Sequence, residues 1–426
     1  MSVIHIHGYH CLEGEIEIQG SKNAVLPVMA ASLLHRGTTV ITNVPNIQDV
    51  SCMLGILEHL GCRCAFRAGT VEIDASQASM MPISDTMARQ MRSSIMLLGA
   101  MLGRFGEAVS SCPGGCSIGK RPIDLHLYGL RQLGASVRVE GERITASTVG
   151  LRGSRVTLAY PSVGATENVI LAAVAARGIT VLEGAAREPE IEILCQFLTE
   201  LGARIDGIGS ARLLIEGGKS LHDVTFCIPG DRIVAGTYLG AVMNAGGTLL
   251  LRGAPVRHME ENLRVAQQMG AELKQVPEGV LVHMAARPRP ADFVTGPYPG
   301  FPTDLQSVML AVASTADGVS HIEETVFENR FSTAKELQKL GAHIIIEKGV
   351  ARVEGHFPLT GGCAEALDLR GGAALVVAGL AADGLTRVTG YTHIRRGYED
   401  ICRDLHRAGA DIMLVREAED ERDITR

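Results

Sequence analysis

"LTELGARIDG", residues 198–207, runs with helical spacing into a glycine and leaves it as alternating strand residues. The phrase recurs as "LEHLGCRCAF" (57–66), "LRQLGASVRV" (130–139), "AQQMGAELKQ" (266–275), "LQKLGAHIII" (337–346) and "LHRAGADIML" (405–414). By subtraction, Gly61, Gly134, Gly202, Gly270, Gly341 and Gly409 are 73, 68, 68, 71 and 68 residues apart. Six units of this length fill the 426-residue chain, and a fixed period marks a repeated supersecondary unit.

The order inside each unit is shared. An apolar helix ends in a glycine-containing turn, followed by a β-branched strand such as "GTTVITNVP", "GITVLEGAA" or "GTLLLRGAP". An amphipathic helix comes next, with the recurring glycine placed as a left-handed C-terminal cap. Two short strands close the unit, as in "CRCAFRAG" and "TVEIDA". The period exceeds that of common solenoid repeats. Six βαβαββ-like units predict an α/β fold of two domains with three units each, divided near the Pro-Gly turn of "CIPGDRIVAG" (227–236).

Composition agrees with this class: no Trp, 4% aromatic residues and 49 glycines suit a chain of many tight turns. A net charge of −7 argues against a nucleic-acid partner, which needs a basic face to displace counterions. No apolar run approaches the roughly 18 residues of a membrane span, and the amino terminus lacks the basic and apolar regions of a signal peptide. The ten cysteines are scattered without a C-x-x-C pair, which predicts neither a zinc site nor a disulfide framework and suits a reducing cytoplasm.

One loop concentrates chemistry: "SCPGGCSIGKRPIDLH", residues 111–126. Its "GGCSIGK" fits the G-x-x-x-x-G-K of a phosphate-binding loop, but the next position must be a Ser or Thr that ligates magnesium. Arg121 and Pro122 stand there instead, so the match fails at the residue that carries the metal. Cys116 lies between Gly115 and Ser117, with Lys120 and Arg121 close enough to favour its thiolate. From the loop alone, a reactive thiol and a small residue filling a turn both remain open.

"PGGCSIGKRPIDLH" (113–126) resembles the catalytic loop of the UDP-N-acetylglucosamine 1-carboxyvinyltransferase family, enolpyruvyl transferases of EPSP synthase-like fold. Further stretches resembling that family follow in order along nearly the whole chain. They are "GSKNAVLPVMAASLL" (20–34), "MRSSIMLLGAMLGRFG" (91–106), "YPSVGATENVILAA" (160–173), "YPGFPTDLQSVML" (298–310), "TVFENRF" (325–331), "DLRGGAALVVAGL" (368–380) and "THIRRGYEDI" (392–401). The resemblance implies two inside-out α/β domains, 22–229 and 1–21 plus 230–426, with the active site in the cleft between them. It implies transfer of the enolpyruvyl group of phosphoenolpyruvate to the 3′-hydroxyl of UDP-N-acetylglucosamine, the first committed step of peptidoglycan synthesis, without cofactor or metal.

Two polyanionic substrates need cations, and Arg and Lys bind phosphate as a fork and as a point charge respectively. By resemblance, Lys22, Arg121 and Arg396 hold phosphoenolpyruvate, Asn23 and Arg92 are shared between the substrates, and Arg370 joins them. Arg121, Pro122, Ile123, Asp124 and Leu125 follow the nucleotide with Ser162, Val163 and Gly164, and Val326 meets the uracil-ribose side. Asp304, read locally, is an ordinary helix N-cap; by resemblance it orients and deprotonates the sugar hydroxyl. Cys116 would be the proton donor and the target of the epoxide fosfomycin. The alternating His5, His7 and His10 read as solvent-facing strand residues.

Three stretches depart from the family pattern: Gln48 where many relatives carry Lys, an extra Gly230 with Val234 in place of Glu, and Arg395 in place of an Asp. Two other readings stand beside the transferase: the shikimate-pathway relative, 3-phosphoshikimate 1-carboxyvinyltransferase, and a non-catalytic UDP-sugar-binding paralogue.

Overall fold

The computed structural model describes residues 2–114, 118–119 and 121–416. Its helices sort into two kinds. Lys22–Ala31, Leu97–Phe105, Val163–Ala175, Arg232–Ala245, Gln306–Ala313 and Leu369–Gly379 are apolar on nearly every face and almost wholly buried. A helix hydrophobic all round has to lie inside. Gln48–His59 and Glu260–Gln268 interleave buried and exposed residues and lie nearer the surface, while Pro189–Glu200 is exposed only at its C-terminal end.

Around the inner helices stand six sheets among the described residues, five mixed sheets of four strands and one antiparallel sheet of three. Their strands alternate buried and more accessible positions, as in Thr38–Thr42 and Leu385–Thr389, so each sheet has an inner and an outer face. The recurring glycines all take left-handed conformations, with φ from 86° at Gly61 to 114° at Gly202. A side chain there would be strained, which is why the phrase keeps its glycine.

Strands distant in sequence complete the sheets. Ser2–His7 lies between Leu385–Thr389 and Asp411–Arg416, antiparallel to both. Leu12–Glu17 runs parallel to Gly247–Arg252, and Val224–Cys227 runs parallel to Thr38–Thr42. The apolar interior accordingly forms two clusters. One spans Ala24 to Ile228; the other joins Ile4–Ile18 to Ile233–Ile412.

The chain passes between the two lobes side by side at Gly20 and Gly230, which form an antiparallel bridge. Ser21 N–H donates to the Pro229 carbonyl at 2.9 Å and Asp231 N–H to that of Gln19 at 2.8 Å. A Cβ at Gly20 would collide with the Asn43 carbonyl, and one at Gly230 with that of Gly253. The extra glycine is thus what lets the second crossing lie against the turn at Gly253. Val234 is simply a buried residue of the helix that starts there. Gln48 is exposed at the start of its helix, where its main-chain N–H meets the Arg395 carbonyl of the other lobe at 3.1 Å.

Candidate active site

All six inner helices begin at one place. Lys22, Val163, Arg232, Leu369 and the short helical turns Arg92–Met96 and Thr303–Leu305 that lead into two of them border a single cavity of about 470 Å³ between the lobes. Each helix start carries N–H groups without intrahelical partners and the positive end of its dipole. Six of them around one space favour anions before any side chain is counted. Capping holds three starts in place: Ser162 Oγ accepts from Ala165 N–H, Asp231 from Ile233 and Val234, and Asp368 from Arg370 and Gly371.

The cavity wall carries Lys22, Asn23, Arg92, Arg121, Pro122, Asp124, Leu125, Ser162, Val163, Gly164, Asp304, Val326, Arg370 and Arg396. Ile123 is not on it; its side chain packs against the first apolar cluster. Cys116 and Lys120 lie outside the described residues. Their neighbour Ile118 borders the cavity, and its carbonyl accepts from Asn329 N–H of the other lobe at 3.0 Å.

Charges are grouped in the wall. Lys22 Nζ lies 2.9 Å from Asp49 Oδ2, and the Arg396 guanidinium donates to both oxygens of the same carboxylate at 2.9 and 3.2 Å. Burial tends to raise the Asp49 pKa, but Lys22 and Arg396 overcome it and hold the carboxyl below its ordinary value. Burial lowers that of Lys22, helped by Arg370 and Arg396 and opposed by Asp49. Arg92 donates to the Arg121 carbonyl, and the Arg121 guanidinium lies 5.4 Å from the centre of the Phe327 ring. Burial, with Arg121 beside it, lowers the Arg92 pKa to about 10.

Asp304 is not a helix cap. One of its oxygens accepts from Arg330 and the other from Arg370 at 2.9 and 3.2 Å. Burial favours its protonated form, yet Arg370 and Arg330 outweigh this and keep the carboxyl well below the ordinary range. Arg370 in turn is held more firmly protonated by Asp304. Its charge is therefore engaged with the carboxylate.

Sequence reasoning missed several members of this network. Asp49, Arg330 and the buried pair of Arg232 with Glu190, joined at 3.0 and 3.2 Å, all border the cavity. Arg330 stands inside "TVFENRF" and Arg232 inside "CIPGDRIVAG", but each finds its partner far along the chain, and only the fold shows which acid it meets. Glu167 and Glu188 also border the cavity, near the Arg232-paired Glu190. Burial and the neighbouring Glu190 and Glu188 push the Glu167 pKa well up. Glu188 accepts from Tyr298 N–H across the lobes at 3.2 Å, and its other oxygen is buried without a partner among the described residues. Nowhere among the described residues do three or more His, Cys, Asp or Glu gather to hold a metal ion.

A cationic cleft with one locked carboxylate and helix starts on both sides is suited to transfer between two anionic substrates. The family model for EPSP synthase (3-phosphoshikimate 1-carboxyvinyltransferase) matches residues 6–405. UDP-N-acetylglucosamine 1-carboxyvinyltransferase 2 of Caldanaerobacter subterraneus subsp. tengcongensis is 46% identical over 97% of this chain and 100% of its own. UDP-N-acetylglucosamine 1-carboxyvinyltransferase of Desulfovibrio desulfuricans is 44% identical, covering 97% and 99%. Among solved structures, the enolpyruvyl transferase NikO from Streptomyces tendae superposes with a TM-score of 0.88 at 25% identity, over 97% of this chain and 99% of that one. EPSP synthase from Acinetobacter baumannii shares the fold at a TM-score of 0.75 and 20% identity, covering 98% and 100%. With its repeat, its two-lobed α/β architecture and these relatives in agreement, the chain belongs to the EPSP synthase family of enolpyruvyl transferases, alongside the UDP-N-acetylglucosamine 1-carboxyvinyltransferases.

Proposed function

We propose that this protein transfers the enolpyruvyl group of phosphoenolpyruvate to the 3′-hydroxyl of UDP-N-acetylglucosamine and releases inorganic phosphate, committing the sugar nucleotide to peptidoglycan. The observation that carries the reading is the convergence of six helix starts and five basic residues, Lys22, Arg92, Arg121, Arg370 and Arg396, on one cavity bordered by Asp304. Lys22, Arg121 and Arg396 hold the phosphate and carboxylate of phosphoenolpyruvate, while Asn23 and Arg92 lie between the two substrates. Ser162, Val163 and Gly164 offer the start of a 13-residue helix to the diphosphate. Arg121, Pro122, Asp124 and Leu125 follow the nucleotide, and Val326 meets its uracil-ribose side. We take 22–229 as one domain and 1–21 plus 230–426 as the other, and place the reaction in the cytoplasm.

The chemistry is addition followed by elimination. The sugar oxygen bonds to C2 of phosphoenolpyruvate as its hydroxyl proton passes to Asp304 and the methylene carbon takes a proton from Cys116. In the second step the new methyl group returns a proton to the Cys116 thiolate, its C–H electrons form the double bond as the C2–O bond to phosphate breaks, and phosphate departs with that bond's electron pair and the proton held by Asp304. Asp304, locked between Arg330 and Arg370, is a weak base in the free protein. It orients the hydroxyl and accepts its proton late, when the oxygen has already acquired positive character. Arg370 serves the reaction by fixing that carboxylate. Cations around the cavity stabilise the phosphate as it leaves.

Replacing Cys116 with Ala tests the assignment. Phosphate release should fall at least about a hundredfold, the scale of a lost proton donor, with UDP-N-acetylglucosamine still bound within a few fold in calorimetry. Undiminished turnover removes the thiol from the mechanism. A wild-type protein that binds the sugar nucleotide but never releases phosphate would be the non-catalytic paralogue.

A further inference from the structure

His126 borders the cavity and is 5% exposed, yet the assignment above gives it no role. Its environment fixes its protonation geometry. Asn168, fully buried in the inner helix Val163–Ala175, accepts from Gly99 N–H through Oδ1 at 2.6 Å and donates from Nδ2 to the Ile95 carbonyl at 2.9 Å. Those two partners leave one orientation for the amide, because an N–H needs an oxygen and a carbonyl needs an NH₂. The same Nδ2 lies 3.0 Å from His126 Nδ1 and can only donate to it. Nδ1 is therefore the acceptor, and the proton of the neutral ring sits on Nε2.

The Nε2 edge has no hydrogen-bond partner among the described residues. The ring lies against the start of Val163–Ala175: a Cβ on Gly164 would fall 2.9 Å from its Cε1 and 3.3 Å from its Nε2. The charged groups facing the ring are Arg92 and Arg121, and together with burial they lower its pKa to about 3. The ring thus stays uncharged at neutral pH, adding a donor to a site where two arginines already supply the charge.

We propose that His126 donates a hydrogen bond through Nε2–H to a non-bridging oxygen of the sugar nucleotide's diphosphate, in the tautomer that Asn168 imposes. This rests on the substrate reading given above. Gly164 is required beside it because a side chain there would displace the ring, and the helix start and the imidazole then address the same anion from two directions.

The test combines calorimetry with ¹⁵N spectra of histidine-labelled protein. The free wild-type protein should show His126 as the Nε2–H tautomer, unchanged between pH 6 and 8, and this resonance should shift on adding UDP but not uridine. His126→Leu should weaken UDP-N-acetylglucosamine binding at least about tenfold, the scale of a hydrogen bond to a charged group. Its affinity for phosphoenolpyruvate should stay within about threefold. His126→Gln, whose amide can place an N–H near the position of Nε2, should recover most of the loss. An Nδ1–H or doubly protonated ring, equal losses for both substrates, or unchanged sugar-nucleotide affinity in His126→Leu would each overturn the proposal. A wild-type protein that does not bind UDP-N-acetylglucosamine overturns the substrate reading as well, whereas binding by the wild type with no effect of His126→Leu removes only this inference.

Discussion

Asp49 shows how much of this site is decided by single side chains. Its carboxylate, 3% exposed, neutralises Lys22 from its own lobe and Arg396 from the other. Without it the buried Lys22 and the half-buried Arg396 would lack the carboxylate they share at the seam. Asp49→Asn should destabilise the protein by about 3–5 kcal/mol in denaturant unfolding, the range for breaking a buried ion pair from one side. The sign with pH follows from the depressed carboxyl. Its stabilisation is complete above the ordinary value of 3.8 and is lost only as pH falls through the lower folded value. The gap between wild type and variant should accordingly stay level from pH 5 to 8 and narrow only in stronger acid. At this scale the sequence was half legible. Residues within runs of family-like text could be named, and Lys22 and Asp304 were. Their pairings could not, because the Arg396–Asp49 pair joins residues 347 positions apart and chain order does not record which charges fold together.

At the scale of elements the repeat was readable, because its signals are local. A glycine at a left-handed position, an alternating strand and an apolar helix each follow from a few adjacent residues. Sheet closure was not. That Ser2–His7 would complete the sixth unit's sheet, or Val224–Cys227 the first, depends on contacts no local pattern encodes. Helix packing adds a second hidden constraint at Gly99. A Cβ there would collide with the Asn168 carbonyl and lie 2.6 Å from its Oδ1, so Leu97–Phe105 can meet Val163–Ala175 only through a glycine. Gly99→Ala improves intrinsic helix propensity by about 1 kcal/mol, but overpacking of this kind costs about 1–3 kcal/mol. A net loss of stability in urea unfolding is expected; a gain would show that the two helices separate freely.

For the whole molecule the central feature is convergence. Two lobes of three units place six helix starts around one space, and the double crossing at Gly20 and Gly230 holds the lobes edge to edge. The period predicted the number of units and the two-lobed arrangement, while the resemblance supplied the cleft. Neither showed that Arg330 and Arg370 would engage Asp304, or that Glu167, Glu188 and Glu190 would border the same cavity as the basic residues. None of the described helices is long and apolar enough to cross a membrane. The account stands most directly on acceptor choice. Purified protein should be mixed with phosphoenolpyruvate and either UDP-N-acetylglucosamine or shikimate 3-phosphate, and phosphate release followed in each. Phosphate formed at the pace of the sugar nucleotide's consumption, with none above background for shikimate 3-phosphate, is the predicted result; release with shikimate 3-phosphate alone, or with neither acceptor, would contradict it.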